Sequence, residues 1–186
     1  MASLQPRPAL GRRTATTVTH GPLTIANRTD IALASVAARR GRMADLSAVA
    51  EGAGVPLPGP ATYRQGSPYS AFWVAPEMWF VEAPFDSHEC IAELLKSAFG
   101  DAASITEQTD AWVVFDLEAA ALAPLLERLC NVDYPAVPDG HATRTVMDHL
   151  GVYLIRHAPG AARLYGPRSS AESLLHAIET AARSVW

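Results

Sequence analysis

The chain has 186 residues, enough for one domain or two small, intimately packed halves that bury about 70% of the unfolded surface. Hydrophobic residues make up 49% and charged residues only 18%, against about 25% charged in an average soluble domain, a balance that a permanent partner surface would explain. The net charge of −4 excludes the strongly basic character that nucleic-acid binding calls for.

Residues 1–29 hold no acidic group, several Pro and Gly and no sustained period, so they read as an extended arm that is either disordered or wrapped around a neighbour. The start lacks the apolar core of a secretory signal, and no hydrophobic stretch follows Arg12-Arg13 as a twin-arginine signal would need. No run of 18 apolar residues occurs, so a cytoplasmic chain without membrane spans is expected. Residues 31–37 predict a buried strand, and residues 43–51 a helix closed by Gly52 and Gly54. Residues 53–69, with four Pro and three Gly, predict a loop. Residues 71–74 and 78–83, aromatic and β-branched around a Pro76-Glu77 turn, predict a β-hairpin. Asp86 with Glu89 predicts a capping box for a helix that carries Ile91, Leu94, Leu95 and Phe99 and stops at Gly100.

Residues 104–108 and 111–117 predict a second strand pair split at Thr109-Asp110, followed by a helix over 118–130 with Leu122, Leu125, Leu126 and Leu129 on one side. After a loop at 131–143, residues 144–157 predict one long strand, which the Pro159-Gly160 turn joins to a partner at 162–165. The last helix carries the clearest stripe, Leu174, Leu175, Ile178, Ala181, Ala182 and Val185, with Ser169 and Glu172 as its capping box. The order predicts an α+β fold of ferredoxin-like βαβ units with antiparallel hairpins. A hairpin followed by an amphipathic helix in each half hints at duplication.

Charge is uneven: residues 1–42 carry seven Arg and one Asp, residues 43–143 three basic and fifteen acidic groups, and residues 144–186 five Arg and three acids. The layout fits docking onto a complementary partner, and equally an ordinary solvated surface with a basic tail. Cys90 and Cys130 have no second Cys or His at ligand spacing and read as reduced residues on the apolar side of helices. Neither GxGxxG nor GxxxxGK[ST] occurs, and Lys96 is the only lysine. His141, Asp148 and His149 read as surface or structural groups rather than a metal or acid/base site. Asp110 and Asp116 read as solvated carboxylates at strand ends. Of Trp73, Trp79, Trp112 and Trp186, three lie in predicted strands, which favours packing over a ligand cage.

The stretch Ile105-Thr106-Glu107-Gln108-Thr109-Asp110-Ala111-Trp112-Val113, followed by Leu125-Leu126-Glu127-Arg128-Leu129-Cys130, resembles the gamma subunit of heterotetrameric sarcosine oxidase. So do Gly140-His141-Ala142-Thr143-Arg144-Thr145, Pro167-Arg168-Ser169-Ser170-Ala171-Glu172-Ser173-Leu174, Leu57-Pro58-Gly59-Pro60 and Phe72-Trp73-Val74-Ala75-Pro76-Glu77-Met78-Trp79-Phe80-Val81. The resemblance covers about residues 30–183; the arm at 1–29 and the Asn131-Val132-Asp133-Tyr134 segment depart from it.

The resemblance implies one gamma-type α+β domain over 30–186, in two halves of about 30–100 and 101–186, with a fold similar to the folate-binding domain of aminomethyltransferases. It implies a non-catalytic accessory subunit beside alpha, beta and delta chains, in contact mainly with alpha. Those chains would hold NAD and tetrahydrofolate, FAD, FMN and zinc, and the complex would convert sarcosine to glycine with peroxide and formaldehyde or methylene-tetrahydrofolate, a step of sarcosine catabolism and one-carbon metabolism. It supplies no catalytic, cofactor or metal residue for this chain; Trp112, Arg144 and Arg168, which lie in matching segments, are the expected partner contacts. The alternatives are a free-standing folate-binding, aminomethyltransferase-like protein, a gamma-type subunit of a related N-methyl amino acid oxidase or dehydrogenase, and an independent α+β domain.

Overall fold

The structure is a computed structural model that describes residues 7–11 and 15–186; the first six residues and the Arg12-Arg13 pair lie outside the described residues. Two compact units share the chain. One consists of Asp30–Asp110 with Gly140–Arg144, the other of Met1–Thr29, Ala111–Asp139 and Thr145–Trp186.

The first strands fall where an arm was expected. β1 (Thr17–His20) and β2 (Leu23–Arg28) pair antiparallel, and Gly21 between them takes φ +54°, a conformation glycine adopts without strain. Leu23 and Ile25 alternate with the partly buried Thr24 and Ala26 and are themselves fully buried. Leu10 is buried in the same core. The arm reading failed because two short strands rich in Thr carry little apolar content of their own.

The unit of Asp30–Asp110 follows the expected order closely. β3 (Ile31–Ala38), α1 (Met43–Gly52), the two-residue β4 (Tyr63–Arg64), β5 (Ser70–Ala75), β6 (Met78–Pro84), the single turn α2 (Phe85–His88), α3 (Ile91–Phe99) and β7 (Ala103–Glu107) succeed one another. The sheet order is β4-β5-β6-β3-β7, with every neighbouring pair antiparallel. The capping box at Asp86 and Glu89 does not form: Asp86 lies inside α2, and α3 starts after Cys90 without a side-chain cap. Glu107 supplies the missing acceptor instead, its Oε2 receiving the Ala92 N–H at 3.4 Å, where a negative group also suits the helix dipole. Ala32, Ala34 and Val36 of β3 pack with Trp79, Val81, Ile91, Leu95 and Phe99.

β7 and β8 (Trp112–Glu118) do not form the expected hairpin. β7 pairs with β3, whereas β8 pairs with β11 and β2 in the other sheet. A three-residue 3-10 turn, Thr109–Ala111, separates them, and Glu107 Oε1 holds it by accepting from the Thr109 N–H at 3.1 Å and hydroxyl at 2.5 Å.

α4 is shorter than expected, Ala123–Leu129. Pro124 at its start lacks an N–H and favours a helix beginning there. Residues 119–122 are committed elsewhere: Ala119 N–H donates to Gly160 O and Leu122 N–H to Pro159 O. The single long strand expected at 144–157 is a hairpin of β9 (Ala142–Met147) and β10 (Leu150–Ala158). Its turn residues Asp148 and His149 take φ +45° and +67°, the mirror-image geometry that two-residue hairpin loops prefer. β11 (Ala161–Pro167) follows, then a 3-10 turn, Arg168–Ser170, and α5 (Ala171–Val185). Ser169 and Glu172 make no capping box; Ser170 is the N-cap and makes no side-chain cap bond. The α5 stripe buries Leu174, Leu175, Ile178, Ala181 and Ala182, and full burial of each Leu or Ile contributes roughly 1.5–3 kcal/mol.

This sheet runs β1-β2-β8-β11-β10-β9. Both units therefore share one ferredoxin-like plan, a first strand, a helix, a hairpin, a second helix and a closing strand beside the first. In the five-stranded unit these are β3, α1, β5-β6, α3 and β7. In the six-stranded unit they are β8, α4, β10-β11 and α5, and the closing place beside β8 is filled by β2 from the other end of the chain. The fold is α+β with ferredoxin-like units and antiparallel hairpins, as the sequence predicts.

Candidate functional site

Trp112 opens β8, is half-buried, and lies opposite Pro167 of β11. Its ring centroid is 5.4 Å from that of Tyr153 at a tilt of 59°. Arg168 follows Pro167 directly, and its Nη2 donates to Arg7 O at 2.5 Å. The fold thus brings Trp112 and Arg168 to one end of the β8-β11 pair. Arg144 belongs to the other unit, where it is exposed on β9.

Asp116, expected at a solvated strand end, sits inside β8 with its side chain 19% exposed. Arg163 Nε and Nη2 donate to its two oxygens at 2.7 and 2.9 Å, and Arg28 Nη1 donates to Oδ2 at 2.6 Å. Burial alone would raise this carboxyl, but the Arg163 and Arg28 guanidiniums outweigh it and hold its pKa below the usual carboxylate value. Asp116 is thus a structural anion rather than a general base. Its partners are invisible to local pattern, since Arg28 lies 88 residues away. A second buried carboxylate, Glu82, accepts from the Tyr63 hydroxyl at 2.9 Å in the other unit.

The loop after α4 is pinned from within the six-stranded unit. The Tyr134 hydroxyl lies 2.7 Å from Ala158 O and 3.0 Å from Ala161 O. Arg156 Nε donates to Asp139 Oδ1 at 2.9 Å, its Nη1 donates to Tyr134 O, and its guanidinium lies 4.9 Å from the Tyr134 ring centroid. Burial pushes the Tyr134 phenol up to about 12, Arg156 opposing and Asp139 adding to the shift. This cluster sits in the segment where the sequence departs from its family resemblance.

The remaining candidates are dispersed. Trp79 is core, its Nε1 donating to Pro58 O at 2.7 Å, and Trp186 is exposed at the C-terminus. Cys90 is exposed at the start of α3 rather than on an apolar face, and burial raises the half-buried Cys130. Burial lowers His141, and His149 is exposed in the β9-β10 turn. Among the described residues no three His, Cys, Asp or Glu side chains are placed to hold a metal ion, and no helix is long and apolar enough to cross a membrane.

Each unit bears an open cleft. One of about 470 Å³ lies beside α1, lined by Ser47, Glu51, Arg64 and Gln65 among others. The other, of about 510 Å³, lies beside α4 and α5 and includes Arg128, Leu129, Asp148 and His176. None of the groups with shifted pKa values named above lines either cleft.

No protein-family model matches the chain, and no curated protein matches it. Among solved structures, its fold is similar to that of glycine cleavage system aminomethyltransferase T from Bartonella henselae, with a TM-score of 0.58 and 14% identity over 82% of this chain. This chain spans only 44% of that one. It is also similar to a chain of the heterotetrameric sarcosine oxidase from Corynebacterium sp. U-96 in complex with pyrrole 2-carboxylate, with a TM-score of 0.75, 20% identity, and coverage of 90% of this chain and 87% of that one. At these identities the likeness is one of fold: the chain has the architecture of a subunit found in that oxidase.

Proposed function

We propose that this chain is the gamma-type, non-catalytic accessory subunit of a heterotetrameric sarcosine oxidase, or of a related N-methyl amino acid oxidase. The observation that carries the reading is the contrast in coverage: the chain matches an oxidase subunit nearly end to end, but less than half of the aminomethyltransferase. The apolar composition and the resemblance of residues 30–183 to the gamma family support it independently. In this reading FAD, FMN, NAD, tetrahydrofolate and zinc are held by alpha, beta and delta chains, the complex is cytoplasmic, and Trp112, Arg144 and Arg168 face the partners.

Co-expression with the flavin-binding alpha and beta chains of such an oxidase tests the proposal. The expected result is one stoichiometric complex with sarcosine-dependent peroxide formation, in which this chain alone forms no peroxide. Recovery of this chain as a separate monomer that ignores those chains would refute the proposal. Titration of the isolated chain with tetrahydrofolate separates the free-standing alternative, which requires tight one-to-one binding.

A further inference from the structure

The cleft of about 510 Å³ beside α4 and α5 draws all of its lining from the six-stranded unit. Its volume lies within the roughly 300–1,000 Å³ typical of small-molecule sites. Small side chains make the room: Ala177 and Ala181, one turn apart on α5, line it together with Leu129 from the end of α4. Ala181 and Leu129 also belong to the core of this unit, so the apolar wall of the cleft is a continuation of packed structure rather than loose surface.

Two opposite charges stand at this wall. Arg128, in the last turn of α4, is the one permanently positive residue of the lining, and Asp148, in the β9-β10 turn, is its one acid. They form no salt bridge with each other, and neither has an ion-pair partner elsewhere among the described residues. Each is held in place by its own surroundings. The Ser184 hydroxyl donates to Ala181 O at 2.7 Å and accepts from Arg128 Nε at 2.9 Å. This fastens the guanidinium against α5 and leaves both of its Nη groups without a protein acceptor among the described residues. Asp148 takes φ +45° in its two-residue turn, and its carboxylate accepts no hydrogen bond among the described residues.

The two charges select the occupant. An anion gains from Arg128 but is repelled by Asp148, and a cation meets the reverse, so a ligand of one sign loses at one group what it gains at the other. A zwitterion gains at both. Its carboxylate can take the two free Nη donors in the bidentate geometry that arginine offers, while its ammonium donates to Asp148. Ala177, Ala181 and Leu129 leave an apolar wall for the rest of the molecule. We propose that this cleft binds a free amino acid with an apolar side chain, Arg128 receiving the carboxylate and Asp148 the ammonium. The inference goes beyond the accessory-subunit reading and does not depend on it, because every contact it invokes lies within this chain.

Titration of the full-length chain with L-leucine at neutral pH, followed by backbone amide NMR shifts, tests the site. Amides of residues 128, 129, 148 and 176–184 shift saturably, with a dissociation constant on the order of 1 mM, as suits a small ligand in an open cleft. N-acetyl-leucine, which lacks the ammonium, and leucinamide, which lacks the carboxylate, each bind about tenfold more weakly or worse, the loss expected for one charge-assisted contact. Arg128→Met and Asp148→Asn produce the same loss for leucine itself. Asn is chosen because it tolerates the left-handed turn, and an unchanged melting temperature shows that each variant is folded. The two analogues make the same comparison on the unaltered protein. Arg64→Met, at the cleft beside α1, leaves leucine binding unchanged. Absence of saturable shifts overturns the proposal. So does N-acetyl-leucine binding as tightly as leucine, which marks a simple anion contact at Arg128, and so does a loss caused by Arg64→Met instead of Arg128→Met, which moves the ligand to the other cleft.

Discussion

Replacing Tyr134 by Phe tests whether one hydroxyl fastens the loop after α4 to the β10-β11 hairpin. The phenol is 1% exposed and faces two backbone carbonyls at 2.7 and 3.0 Å. Phe keeps the ring and its contact with Arg156 but leaves those buried acceptors short of a donor. The lost bond and the desolvated carbonyls together cost about 1–2 kcal/mol near neutral pH, and a domain of this size loses about 2–4 °C of melting temperature per kcal/mol.

The alkaline limb gives a second, independent readout. The folded phenol ionises at about 12, above the ordinary value near 10. A raised folded value means that this contribution is complete below the unfolded pKa and disappears as pH rises from about 10 through about 12, a loss of roughly 2–3 kcal/mol. The variant has no such limb. Urea denaturation from pH 8 to 12 should therefore show wild type ahead at pH 8, with the difference shrinking or reversing by pH 12. Equal stability at pH 8, or parallel decline of both proteins, would refute the assignment.

Asp116→Asn leaves Arg163 and Arg28 facing a neutral group and costs about 2 kcal/mol; because the folded carboxyl is depressed, wild type loses this advantage as pH falls below the ordinary Asp range, and the gap measured by thermal unfolding should narrow there. Gly160→Ala places a methyl group 2.2 Å from Ala119 O, a backbone atom; denaturant titration should show about 2 kcal/mol of destabilisation as the turn and residues 119–122 move apart. Trp112→Ala and Arg144→Ala should lower the yield of assembled complex more than turnover per complex, by about 1–2 kcal/mol each in partner affinity. Gel filtration with an activity assay on the same fractions decides this, and normal assembly with slow turnover would reverse the roles assigned to both residues.

Where local signals and tertiary pairing agree, the elements were readable. Pro76-Glu77 between aromatic runs announces the β5-β6 hairpin, and the α5 stripe announces a buried helix face. The failures have specific causes. Thr109-Asp110 has turn chemistry, but whether a turn closes a hairpin or sends the chain into another sheet depends on Glu107 and on strands far away. Asp148-His149 lies between apolar residues, so the reversal between β9 and β10 was hidden inside what looked like one strand. Leu23 and Ile25 offered an alternation that marked β2, but within an otherwise polar segment. Among the candidate contacts, the positions of Trp112 and Arg168 follow from strand register, whereas the Arg28-Asp116-Arg163 cluster needs three strands to meet.

The placement of β2 explains why the first residues could not be understood alone. In the unit containing β8, α4, β10, β11 and α5, the closing strand does not come after α5 among the described residues but from β2. An open side on β8 would leave backbone groups of a central strand unpaired, which burial penalises. β2 supplies those partners from Thr24 opposite Glu118 to Arg28 opposite Val114, and Arg28 adds its guanidinium to Asp116 on the same strand. The segment read as a free arm therefore contributes backbone pairing, core side chains and half of a charge clamp at once.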